Sequence, residues 1–231
     1  MRLQSSTNFR PIQSLRPVLY RSDHLGALNE DDARQIQALG ITRVLDFRGV
    51  NERTAFACVL PGVTVHSLPI EPTIVQQLQS LIASGRELTE ADVVEHMQET
   101  YRGFVRHNTP RFAEFFGHLL ESDEPTVFHC TAGKDRTGFA AALLLHAVGA
   151  TPGQVMQDYL LTNERLAFPA EGSFAFPRPV MQVLWRVQPE FLQAALAEVD
   201  ARHGSLEAYL REGLGLGPEE RERLRSLYLA G

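Results

Sequence analysis

The sequence is poor in cysteine: Cys58 and Cys130 are the only two among 231 residues, far apart and with no CxxC or His/Cys cluster near either. That scarcity argues against a disulfide framework and against structural zinc. No run approaches the ~20 apolar residues needed to cross a bilayer, and the opening MRLQSSTNFRPIQ lacks the uninterrupted apolar segment of a signal peptide. We therefore expect a cytoplasmic location without stable membrane insertion, with an export route that needs no signal peptide left open. Positive charge is also in short supply. With 22 Lys and Arg against 28 Asp and Glu, a net charge of -6 and a pI near 5.8, there is no electrostatic footprint for nucleic acid, so an anionic partner must be held by a local site. Internal repeats and low-complexity tracts are missing too. What remains is ordinary: 44% hydrophobic and 22% charged residues, enough for one large domain or two small ones, of which we expect one spanning 1–231.

Along the chain, PVLYR (17–21), ITRVLDF (41–47), GVTVHSL (62–68) and PTVFH (125–129) have the composition of strands. NEDDARQIQALG reads as a helix with Asn29 as N-cap and Gly40 as its stop. Helical patterns follow near 73–84, over 89–107, and over 110–121 with Thr109 as N-cap before Pro110. TGFAAALLLHAVG is apolar on nearly every face and reads as a buried helix. Strands separated by helices predict an α/β layered fold with a central, mostly parallel sheet, and a site at the carboxyl ends of its strands. From 151 onward the chain is mostly helical. The Pro/Gly/Phe-rich loop 167–179 breaks it and is a candidate lid, with lid segments expected near 71–107 and 163–188.

The stretch HCTAGKDRTG, 129–138, lies between the last predicted strand and the buried helix. A strand, a tight loop and a helix N-terminus in that order cradle a dianion, through the backbone N–H groups of Thr131, Ala132, Gly133, Lys134, Asp135 and Arg136. The same field, with Arg136 beside it, favours a thiolate, and cysteines in comparable settings have a pKa of roughly 3.5 to 7.5. Cys130 is then a nucleophile at neutral pH, and Arg136 can grip two phosphoryl oxygens in a fork.

These residues carry a resemblance. Cys130, five residues and Arg136 form the C-x5-R signature of cysteine-dependent phosphatases, and HCTAGKDRTG resembles the HCxxGKDRTG loop of bacterial tyrosine phosphatases, a group known for dual specificity and phosphoinositide activity. Asn8-Phe9-Arg10, Tyr20-Arg21-Ser22, LDFRGVNE and HGSLEAYLREGLGL resemble further elements of that group, so the likeness runs over nearly the whole chain. It implies a three-layer cysteine-phosphatase fold with helical lid and C-terminal helices, a phosphocysteine intermediate and no metal or other cofactor. It also implies a phosphorylated protein, peptide or phosphoinositide as substrate. By likeness, Cys130 attacks phosphorus, Arg136 binds the phosphoryl oxygens and Thr137 hydrogen-bonds the departing thiolate.

The general acid stays open between two residues. Many cysteine phosphatases supply an aspartate from an upstream loop, yet none occurs here between Asp46 and Asp92. Glu71, just after a predicted strand, is one candidate. Asp135 is the other, by likeness to myotubularins, whose loop also ends in Asp-Arg-Thr. Lys134 either adds charge beside the phosphate, as in loops that accept inositol phosphates, or points to solvent. His129 is expected to orient the loop, and Asp46, Arg48 and Glu52 either bind substrate or form an ion-pair network behind it. Cys58 is a bystander or, under oxidation, a disulfide partner for Cys130. Phe168, Phe174 and Phe176 line a lid or pack a loop. The missing aspartate keeps a non-catalytic phosphate-recognition module as the rival function, and rhodanese-like or arsenate chemistry is the third.

Overall fold

Alternation of apolar side chains organises the fold. In the computed structural model, which describes residues 3–72, 74–83, 85, 87–170, 172 and 176–229, five short strands form one sheet: β1 (Arg10–Pro11), β2 (Leu19–Ser22), β3 (Arg43–Asp46), β4 (Thr64–Ser67) and β5 (Thr126–His129). Their order is β1-β2-β5-β3-β4, and all pairs are parallel except β1 with β2. Side chains alternate between the two faces of a strand. Tyr20, Val44 and Val127 therefore meet Phe9, Leu25 and Ile36 on one face, while Leu19, Leu45 and Phe128 join the larger core on the other.

Ile36 belongs to α1 (Glu30–Ala38), where Asn29 accepts from the Asp32 amide as N-cap and Gly40 follows at φ 71°, as the sequence predicts. After β3 comes α2 (Val50–Ala55), and after β4 comes α3 (Ile74–Ala83). The opposite face of the sheet carries α4 (Glu90–Glu121) and α5 (Asp135–Val148), with α6 (Pro152–Leu160), α7 (Thr162–Arg165), α8 (Arg178–Trp185) and α9 (Pro189–His203) beyond them. A short α10 (Leu206–Ala208), a π-helical turn (Tyr209–Gly213) and α11 (Pro218–Tyr228) close the order. Every residue of α5 is buried except Asp135 and His146, so this helix is the axis of the larger core. The mostly parallel sheet between helical layers is the architecture the sequence predicts.

Two helix boundaries need correction. α5 starts at Asp135, two residues earlier than expected, which places Arg136 in its first turn. The two helices expected over 89–107 and 110–121 are one, and Pro110 lies inside it. Thr109 is not an N-cap: its hydroxyl donates back to the Val105 carbonyl at 2.8 Å, and Asn108 Nδ2 donates to Gly103 O at 3.3 Å. These are back-bonds to carbonyls ahead of Pro110, which itself, having no N–H, leaves the Arg106 carbonyl without its helical donor. The helix survives because it buries Tyr101, Phe104, Phe112, Phe115 and Phe116 along its length.

Of the stretch 71–107, the part from Glu90 belongs to α4 and buries Val93, Met97, Tyr101, Phe104 and Val105. In the loop before α8, Phe176 is buried and Phe168 packs half-buried against the larger core, while Phe174 lies outside the described residues. Among the described residues no helix is long and apolar enough to cross a membrane.

Candidate active site

Between the end of β5 and the start of α5 the chain turns through Cys130 to Lys134, and its carbonyls are accounted for one by one. His129 Nδ1 donates to Cys130 O at 3.0 Å, and the His24 amide donates to Thr131 O at 2.9 Å. Asn8 Nδ2 donates to Ala132 O and Gly133 O at 2.9 and 3.0 Å, and Arg21 Nη2 reaches Gly133 O at 3.0 Å. In a trans peptide the next N–H points opposite to the carbonyl. The amides of Thr131, Ala132, Gly133 and Lys134 are thus turned to the other side, and among the described residues no amide from Thr131 to Arg136 donates to another protein group. With the N-terminus of α5 beside them, these donors have the arrangement an anion would need.

Gly133 makes the turn possible. Its φ is 63°, and a Cβ there would stand 2.2 Å from the Ser22 carbonyl oxygen. His129 is fully buried, and burial pulls its imidazole below the ordinary histidine range despite the charge of Asp46. A neutral ring donating through Nδ1 orients the loop, as expected for a side chain on the face opposite Cys130.

Arg136 is held from behind. Glu52 accepts from Nη1 at 2.7 Å and from Nη2 at 2.9 Å, and Ile70 O takes a second Nη1 bond at 2.9 Å. A guanidinium has five N–H donors. The Nε–H and the second Nη2–H are left side by side, an edge that matches two oxygens of a phosphoryl group. Burial works against the Arg136 charge, but the Glu52 hydrogen bonds and the charge at Cys130 hold the guanidinium above its ordinary value. Burial likewise opposes the Glu52 charge, yet Arg136, the Thr131 hydroxyl and the Gly49 amide bring its pKa down to about 2.

A loop whose amides face away from its carbonyls, a buried cysteine at its start and an arginine in the first helical turn agree with the match of the tyrosine phosphatase family model to residues 2–230. The chain belongs to the tyrosine phosphatase family. It is 32% identical to a protein named as a tyrosine-protein phosphatase of Cupriavidus necator, over 92% of this chain and 79% of that one. It is 30% identical to the triple specificity protein phosphatase PtpB of Mycobacterium tuberculosis over 98% of both. A tyrosine-protein phosphatase of Nostoc commune matches at 26% over 89% of this chain and 72% of its own.

Within this tyrosine phosphatase the other expected residues fall into place unevenly. Thr137 is fully buried, and its hydroxyl has no hydrogen-bond partner among the described residues. Lys134 points neither to the cradle nor to solvent. It is 4% exposed, donates to the carbonyls of Leu184 and Arg186 at the end of α8, and pairs with Asp135 Oδ2 at 3.2 Å. Asp135 Oδ1 accepts from the Tyr101 hydroxyl at 3.0 Å. Glu71 accepts from the Val50 amide at 3.0 Å, so its carboxylate serves the first turn of α2.

Asp46 and Arg48 form a buried pair at 2.8 Å, and Glu52 joins the loop as described, so this trio supports the site from behind. Cys58 packs on the opposite face of the sheet from Cys130, both thiols are free, and burial pushes the Cys58 thiol up to about 11. Sequence reasoning missed Tyr101, Tyr159 and Asp158. Tyr101 and Tyr159 look like core aromatics in any helical pattern, and Asp158, which accepts from Arg21 at 2.6 Å, has no local signal at all.

Proposed function

We infer that this protein is a phosphotyrosine phosphatase of broad specificity that hydrolyses phosphomonoesters through a phosphocysteine on Cys130. The observation that carries this reading is the outward turn of the four carbonyls from Cys130 to Gly133, which commits the loop amides to an anion beside the thiol. The phosphoryl dianion binds the amides of Thr131 to Arg136 and the Nε–Nη2 edge of Arg136. The Cys130 sulfur forms the S–P bond as the P–O bond to the substrate breaks, and the departing oxygen takes a proton from the acid. Water then attacks phosphorus, the same carboxylate takes its proton, and the thiolate leaves with a hydrogen bond from Thr137.

Asp135 is our choice of acid. It stands in the first turn of α5 at the edge of the cradle, part-exposed, whereas Glu71 is engaged with the α2 backbone. The end of α8 borders the site through the Lys134 bonds to Leu184 and Arg186, and we place the cover in the segment 163–188 that contains it. The PtpB relative, a triple specificity phosphatase by name, supports breadth toward phosphoserine and phosphothreonine. The phosphoinositide reading draws no support from Lys134, whose ammonium is turned to α8.

The test is a metal-free panel of phosphotyrosine and phosphothreonine peptides and phosphoinositides, read in single turnover. Wild type should give a burst of product on phosphotyrosine, and Cys130→Ser should abolish turnover while still binding the phosphopeptide. Full activity of Cys130→Ser would refute the covalent mechanism. Binding without a burst in the wild type would leave a recognition module in its place.

A further inference from the structure

Two buried tyrosines lie behind the chosen acid. Tyr101, on α4, donates to Asp135 Oδ1 at 3.0 Å, and Tyr159, on α6, stands 2.7 Å from the Tyr101 hydroxyl. A carboxylate oxygen accepts, so the one phenolic proton of Tyr101 is committed to Asp135. Tyr159 must then be the donor to Tyr101. The chain Tyr159 to Tyr101 to Asp135 thus has a fixed direction.

Both rings are immobilised. Tyr101 is fully buried between Phe104 and Phe191, at centroid distances of 5.1 and 5.9 Å, and meets Tyr159 edge-on at 85°. Tyr159 lies against the first turn of α5 where Gly138 gives it room: a Cβ on Gly138 would approach its ring to 3.1 Å. Burial, reinforced by the Asp135 charge, raises both phenols well above their ordinary range, so each stays a donor at any working pH. Asp135 Oδ2, by contrast, makes only the 3.2 Å ion pair with Lys134 among the described residues, longer than a charge-assisted hydrogen bond.

We propose that Tyr101, backed by Tyr159, is a positioning residue for the proton-transferring carboxyl: by occupying Oδ1 it fixes the rotamer of Asp135 and leaves Oδ2 as the edge that gives and takes the proton. The inference rests on Asp135 as the acid. A general acid contributes about 10²- to 10⁴-fold, and most where the leaving group is a poor one. Losing its orientation should therefore cost part of that factor, and only on such substrates.

The experiment compares Tyr101→Phe, Tyr159→Phe, Asp135→Asn, Glu71→Gln and the double variant Tyr101→Phe/Asp135→Asn on aryl phosphates with leaving groups of low and high pKa. We expect Tyr101→Phe to lose about tenfold in kcat on the poor leaving group and under about threefold on the good one. Tyr159→Phe should show the same selectivity more weakly, and the double variant should be no worse than Asp135→Asn. Equal losses of Tyr101→Phe on both leaving groups, or losses that multiply in the double variant, would overturn the positioning role while leaving Asp135 as acid. If Asp135→Asn shows no selectivity, the acid assignment and this inference fall together. Should Tyr101→Phe not fold, Tyr159→Phe decides alone: no leaving-group selectivity in that variant overturns the proposal.

Discussion

Glu52 illustrates how a single side chain sets the working range of the site. Its carboxylate grips Arg136 through two oxygens and has a pKa of about 2 against the usual 4.5. A carboxylate depressed in the folded state stabilises it fully above the unfolded value, and that contribution fades as pH falls from about 4.5 toward 2. Urea denaturation at pH 5 and pH 3 should show wild type losing more stability over this interval than Glu52→Gln, which has nothing to titrate there. At neutral pH the same variant should lower kcat/KM by about 10- to 100-fold, because Arg136 loses the carboxylate that aims it. An unchanged kcat/KM would show that the carbonyls of Ile70 and Phe47, which accept from Arg136 Nη1 at 2.9 and 3.4 Å, suffice to hold the guanidinium.

Among the elements, α4 carries an unusual cost. An interior proline forfeits about 3 kcal/mol relative to alanine in a helix, some of it offset by the stiffer unfolded chain. Pro110→Ala should therefore stabilise the protein by about 1–2 kcal/mol in denaturant melts, provided the helix is as continuous as described. A loss of stability would show that the Pro110 turn is strained into a shape alanine does not hold. The misreading of this element has a physical origin. Thr109-Pro110 is a sound local start signal, and only the aromatic row on either side, packed against α5 and the sheet, overrides it. Where local chemistry and tertiary packing agree, as in α1 with its Asn29 cap or β3 with the β-branched Ile41 and Thr42 leading into Val44, the sequence was readable directly. The same division runs through the site. Cys130, Arg136 and Gly133 announce themselves by spacing, but the partners of Lys134 are backbone carbonyls at 184 and 186, which no residue type signals.

For the molecule as a whole, the most demanding contact joins two residues 137 positions apart in sequence. Arg21 on β2 and Asp158 on α6 form an ion pair at 2.6 Å with both side chains at 1% exposure or less. Removing one member of such a pair strands the other, at about 3–5 kcal/mol. Asp158→Ala should lose that much in equilibrium unfolding. It should also weaken turnover, because Arg21 supports the Gly133 carbonyl. Asn8, ahead of β1, and Arg21, on β2, support the loop, yet the carbonyls they hold are 112 to 125 residues further on. Contacts so distant in sequence form slowly and late. A chain still emerging from the ribosome carries Asn8 and Arg21 long before Ala132 and Gly133 exist. Until they meet, Cys130 is a thiol without an anion site. Under the mechanism we propose, phosphatase activity is thereby tied to completed folding, and incomplete copies are expected to stay silent toward phosphoesters.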